Sequence, residues 1–175
     1  MITYNNLITY FNNIANNHSL INSFHSGFLD EVDIDKMDSA NFPILYVEPT
    51  TSVLGDGFLN YNFNVLVLDM VLEDMTDRNT VWTNTLQILQ DVIADFRQNL
   101  ALQTTGADSG KKFSYVDGQV VLEMPISADP FTARFANLLT GWSGSFVMQV
   151  NNTNNLCDAP ITPSDNDAIT DYTTT

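Results

Sequence analysis

Residues 58–100 read FLNYNFNVLVLDMVLEDMTDRNTVWTNTLQILQDVIADFRQNL. No Gly or Pro falls between Gly57 and Gly106, so only the polar stretch EDMTDRNT punctuates the backbone there. The first part alternates as a strand does. Leu59, Tyr61, Phe63, Val65 and Val67 share one face, and Asn60, Asn62 and Asn64 take the other. Further along, that second face turns apolar at Leu66, Leu68, Met70 and Leu72, so one end of the strand is expected to be buried on both sides. The second part carries Trp82, Leu86, Leu89, Val92/Ile93, Phe96 and Leu100 at helical spacing, with Asp77 and Thr80 as candidate caps. Burying about six such side chains is worth roughly 1.5–3 kcal/mol each. A lone strand and a lone helix both leave an apolar face wet, so each is expected to pack on the other.

The chain on either side adds smaller pieces. Thr3 can cap a helix over residues 3–16 whose Leu7, Tyr10/Phe11 and Ile14 fall on one face. Leu20–Phe24 reads as extended and is followed by an acidic segment, Asp30–Asp35. Phe42–Pro49 is a strand bracketed by prolines, joined antiparallel to the long strand through a loop, Thr50–Gly57. Gln103–Lys112 is a loop, residues 113–124 suit a hairpin around Asp117-Gly118, and Pro125–Asn137 reads as irregular. A last strand, Gly144–Val150, places Phe146, Met148 and Val150 on one face. The division expected is a domain over residues 1–150 and an extended polar tail over 151–175.

At 175 residues the chain is long enough for a sizeable single core. Its charge is unusual: 21 acidic against 6 basic residues give −15. Lys36, Arg78, Arg97, Lys111, Lys112 and Arg134 are scattered, so they form no basic patch for gripping nucleic-acid phosphates. Such a surface also repels anionic membranes. The single Cys157 makes no internal disulfide, the N-terminus lacks the pattern of a signal peptide, and no apolar run reaches membrane-spanning length. A soluble protein made in a cytoplasm is expected.

Reactive constellations fail on inspection. From Asp33 as the first position of a calcium loop, the fifth is Met37 and the required sixth-position Gly is Asp38, so no metal site is expected there. Gly141-Trp-Ser-Gly-Ser145 lacks the final Gly and the strand–turn–helix setting of a nucleophile elbow. His18 and His25 have no Cys or HExxH partner, and Cys157 has no basic neighbour. No catalytic residue, metal or cofactor is therefore expected. Asp69 stands out because it keeps the parity of Val65 and Val67, where a carboxylate needs partners. It is expected to serve as a structural anchor, as are Trp82 and Trp142.

The order of segments resembles the tail-terminator and tail-completion proteins, the ring-forming connectors of tailed bacteriophages, most of all those of crAss-like and related double-stranded DNA phages. The carrying residues are the first helix, His18-Ser-Leu-Ile-Asn-Ser-Phe24, the acidic Gly27–Asp35 stretch, Phe42–Pro49 and Phe63–Asp69. Gln87–Asp91 in the second helix, Leu139-Thr-Gly-Trp142 and Asn155-Leu-Cys-Asp158 complete the series. The acidic, Thr/Asp-rich extension after Asp158 departs from it. The resemblance implies an α+β subunit: an antiparallel sheet of about four to five strands with two main helices on one face. It implies a ring, hexamer or dodecamer, in the virion at the head–tail junction or tail, touching portal, adaptor or tail rings, with genomic DNA passing through unbound. Leu66, Leu68 and Met70 need a cover, from the first helix or a neighbouring subunit. With Thr104, Asp108, Lys111, Lys112, Leu156, Ile161 and Tyr172 they are the interface candidates. The competing reading is a monomeric acidic binding module or inhibitor, such as a nucleic-acid mimic.

Overall fold

The long strand is the third of six and lies in the middle of the sheet. The computed structural model describes residues 2–28, 39–102, 120–131 and 138–152. The chain runs α1 (Tyr4–Asn17), β1 (Ser23–Ser26), a 3₁₀ turn (Ser39–Asn41), β2 (Ile44–Leu54), β3 (Phe58–Met70), α2 (Arg78–Leu102), β4 (Val120–Leu122), β5 (Ala128–Phe131) and β6 (Leu139–Asn151). The sheet order is β1-β2-β3-β6-β4, and β5 pairs with the other end of β6. The fold is α+β.

Local chemistry explains the elements. Thr3 closes a capping box at α1: its Oγ1 accepts from the Asn6 N–H, and Asn6 Oδ1 accepts from the Thr3 N–H. The turn at Gly57 needs a positive φ, +81°, which glycine supplies without steric cost. Asp77 sits just before α2, and its backbone carbonyl accepts from the Thr80 and Val81 N–H groups. Its side chain is used elsewhere, accepting from the Leu72 N–H at 3.0 Å and so tying the turn to the end of β3.

Both helices lie on one face of the sheet. Leu7, Phe11 and Ile14 of α1 and Ile88, Leu89, Val92 and Phe96 of α2 close over Leu45, Val47, Phe63, Val65, Val67, Phe146, Met148 and Val150. Phe11 is the joint between them, with ring centroids 4.6 Å from Phe96 and 5.7 Å from Phe63. Such aromatic pairs add about 0.5–1.5 kcal/mol each beyond area burial. The α2 stripe is Val81, Thr85, Ile88/Leu89, Val92 and Phe96, one position from the expected Trp82 and Leu86, which are half-buried. Thr85 fits the stripe because its hydroxyl donates to the Val81 carbonyl at 2.7 Å.

Several expectations are corrected. The sheet is mixed, because β1 runs parallel to β2, and it has six strands. β2 does not stop at Pro49. It passes through a register shift between Pro49 and Ser52 and continues to Leu54, since a bulge accommodates a residue with no N–H to donate. Residues 128–131, expected to be irregular, form β5; Pro130 is tolerated because β5 pairs on one side only among the described residues. Residues 113–119 of the expected hairpin lie outside the described residues.

Candidate interaction surface

The interface candidates divide sharply. Leu66 and Leu68 are 8% and 0% exposed, enclosed with Phe42, Ile44, Tyr46 and Leu139 in a second cluster on the face away from the helices. Met70 and Phe131 pack against it. α1 does not cover these residues, because it lies on the opposite face; Ile44 and Tyr46 of β2 and Leu139 of β6 flank them within the sheet. They form no open patch. Thr104, Asp108, Lys111, Lys112, Leu156, Ile161 and Tyr172 lie outside the described residues.

The three expected anchors differ from one another. Trp82 on α2 and Trp142 on β6 meet edge to face with centroids 6.3 Å apart. Trp82 Nε1 donates to Thr140 Oγ1 at 2.7 Å, and Trp142 Nε1 donates to the Trp82 carbonyl at 2.9 Å. The Thr140 hydroxyl donates onward to the Phe131 carbonyl at 2.6 Å. Four groups from α2, β5 and β6 are thus joined, and the Arg78 guanidinium lies 5.0 Å from the Trp82 ring centroid. Asp69, half-buried at the end of β3, accepts from the adjacent Met70 N–H at 2.8 Å. Burial raises its carboxyl pKa, the Met70 bond opposes that, and the Asp77 charge adds to the rise. Its anchoring is local.

A groove of about 470 Å³ separates α1 from α2, lined in part by Tyr10, Asn13, His18, Asp91 and Asp95. His18 Nδ1 accepts from the Leu20 N–H at 3.2 Å, which places the proton on Nε2, facing Asp91 Oδ2 at 3.2 Å. Tyr10 donates to Asp95 at 2.7 Å, and burial first, then the Asp95 bond and charge, hold its hydroxyl pKa well above the ordinary phenol range. These are ties between helices. Among the described residues no three His, Cys, Asp or Glu side chains stand together as metal ligands, and no helix is long and apolar enough to cross a membrane.

One exposed feature is the far half of β2. Residues 50–54 are exposed, with Val53 46% and Leu54 73% accessible. Beyond Val47, where β1 ends its pairing and the Gly27 N–H reaches the Val47 carbonyl, the outer edge of β2 has no strand partner among the described residues. The run Pro49-Thr-Thr-Ser-Val-Leu54 carries no charge and is rich in strand-forming residues. Pro49 and the bulge blunt the start of this edge, but Ser52–Leu54 has no such guard among the described residues. On the same outer face, Asn60 and Asn62 keep their Oδ1 atoms shut from solvent without a partner.

Sequence reading missed Thr140, the tie of Tyr10 to Asp95 and that of His18 to Asp91. Residues 85 and 73 positions apart leave no local signal of their meeting. Searches by sequence match this chain to no protein-family model and to no curated protein.

Proposed function

We propose that this chain is a structural subunit of a homo-oligomeric ring in a tailed-phage virion, at the head–tail connector or tail, surrounding the channel through which DNA passes. Its work is done by surfaces that meet other subunits and not by reacting groups. The observation that carries this reading is the β2 edge: an uncharged, strand-forming segment exposed on the rim of the sheet. Such an edge is a template for pairing with another chain, and a protein that keeps one open has a partner for it. The segment order that resembles tail-terminator proteins supplies the setting. A ring closes through heterologous contacts, in which one patch of a subunit meets a different patch of the next.

The charge supports the same reading. With −15 on 175 residues, a channel lined by this chain repels DNA phosphates, so the genome slides without adhering. Light scattering of the purified chain at rising concentration, together with electron microscopy of particles, tests the reading. Closed rings of a fixed number of 19.5 kDa subunits are expected. A single copy per particle, or a monomer bound to a basic nucleic-acid-binding protein, would instead favour an acidic inhibitor.

A further inference from the structure

We infer that the edge of β2 at Thr50–Leu54, which no strand covers among the described residues, is completed by the C-terminal segment of a second copy of this chain, added as an extra strand. This deepens the ring reading and rests on it. Three observations select that occupant. The first is where the described chain leaves the sheet. β6 ends at Asn151 opposite Phe58, and the Asn152 N–H donates to the Gly57 carbonyl, so the described chain leaves the sheet at the same end as the exposed edge. The contour length of residues 153–175, about 75 Å at ~3.3 Å per residue, is ample to reach a neighbouring molecule.

The second is composition. Ala168-Ile-Thr-Asp-Tyr-Thr-Thr-Thr175 is dominated by β-branched and aromatic residues and has no Gly or Pro, as a strand requires. The third is charge. Asp165, Asp167 and Asp171 make the segment anionic, and Pro49–Gly55 is an uncharged strip on a strongly acidic chain, so repulsion is least there. Strand order then favours a second copy over the chain's own tail. β3 stands between β6, where the tail departs, and β2, where it would dock. Donor and acceptor thus lie on opposite sides of β3 in one subunit, the arrangement that head-to-tail closure of a ring uses. Recognition follows strand addition: backbone N–H and C=O groups pair along the edge, and Val53 and Leu54 offer apolar contact to alternate side chains.

The test uses full-length chains in which Cys157→Ser removes the native thiol. One carries Val53→Cys and an affinity tag. The other is untagged and carries Ile169→Cys, Asp171→Cys or Thr173→Cys, which scan one face of the added strand in successive registers. After mild oxidation, capture of the tagged chain under denaturing conditions should recover the untagged chain for at least one register. The yield should be tenfold or more above an Asn13→Cys control, whose cysteine stands on the exposed side of α1. A yield equal to that control refutes the assignment. So does a disulfide that forms only within one chain carrying both cysteines, which would mean the edge is closed by its own tail. Rings that persist after deletion of residues 159–175 would refute this docking and leave the ring reading standing, whereas particles holding isolated subunits would refute the ring itself.

Discussion

Replacing Thr140 by valine removes one hydroxyl from a junction and changes almost nothing else in shape. Thr140 is 1% exposed, and its oxygen both accepts from Trp82 Nε1 at 2.7 Å and donates to the Phe131 carbonyl at 2.6 Å. Valine suits a strand and opens no cavity, so the cost is that of two hydrogen bonds and the groups they leave behind. Each bond contributes about 1 kcal/mol net, and a buried group left unpaired costs about 1–3 kcal/mol. Trp82 is half-buried, and water reaching its N–H offsets part of that penalty. The expected loss is about 2 kcal/mol, or roughly 4–8 °C in Tm for a chain of this size. Thr85→Val is the control. Its hydroxyl is equally buried but donates to the Val81 carbonyl within the helix, so removal orphans nothing, and the change should stay within about 0.5 kcal/mol. Urea unfolding followed by tryptophan emission measures both, because the chain has 2 tryptophans and both belong to this junction. Equal costs for the two variants, or a Thr140→Val chain as stable as the parent, would refute the bridging role.

Asp69→Asn should raise the melting temperature at pH 7. Burial raises the folded-state pKa of Asp69, so its favourable contribution is complete below the ordinary carboxylate range and is lost as pH rises through the folded value; the gain from Asn should fade towards pH 3. Gly141→Ala should abolish soluble expression or cost more than about 3 kcal/mol, because an added Cβ would stand 1.8 Å from the Val67 carbonyl oxygen of the adjoining strand. Normal thermal unfolding of that variant would contradict the packing described. Asp91→Asn should change stability by less than about 1 kcal/mol by urea titration, since the carboxylate is 49% exposed and its contact with His18 is a surface pair.

Much of this scaffold was legible because it is written in local periodicity. The alternation of Leu59 to Val67 gave β3 its helix-facing side, and the Thr3 cap with Leu7, Phe11 and Ile14 gave α1. The turn from Asn to Leu on the other face of β3 marked the second cluster, although periodicity could not name its other members; Phe42 and Tyr46 come from one earlier segment and Leu139 from a distant later one. β2 was read short because Pro49 signals a strand end unless a bulge absorbs it, and the bulge depends on tertiary pairing with β3. β1 runs parallel to β2 because the chain returns before pairing, which no composition records. The Trp82–Trp142–Thr140 junction was half visible: two tryptophans stand out in a sequence, and the threonine that joins them does not.

Subunits that carry out their role by meeting one another must be found side by side. The proposed role is tested most directly by electron cryomicroscopy of tailed-phage particles assembled with this chain, which should show a closed ring around the DNA channel and a second copy's strand along Thr50–Leu54. A lone molecule away from the channel, or a ring in which that edge faces open solvent, would contradict it.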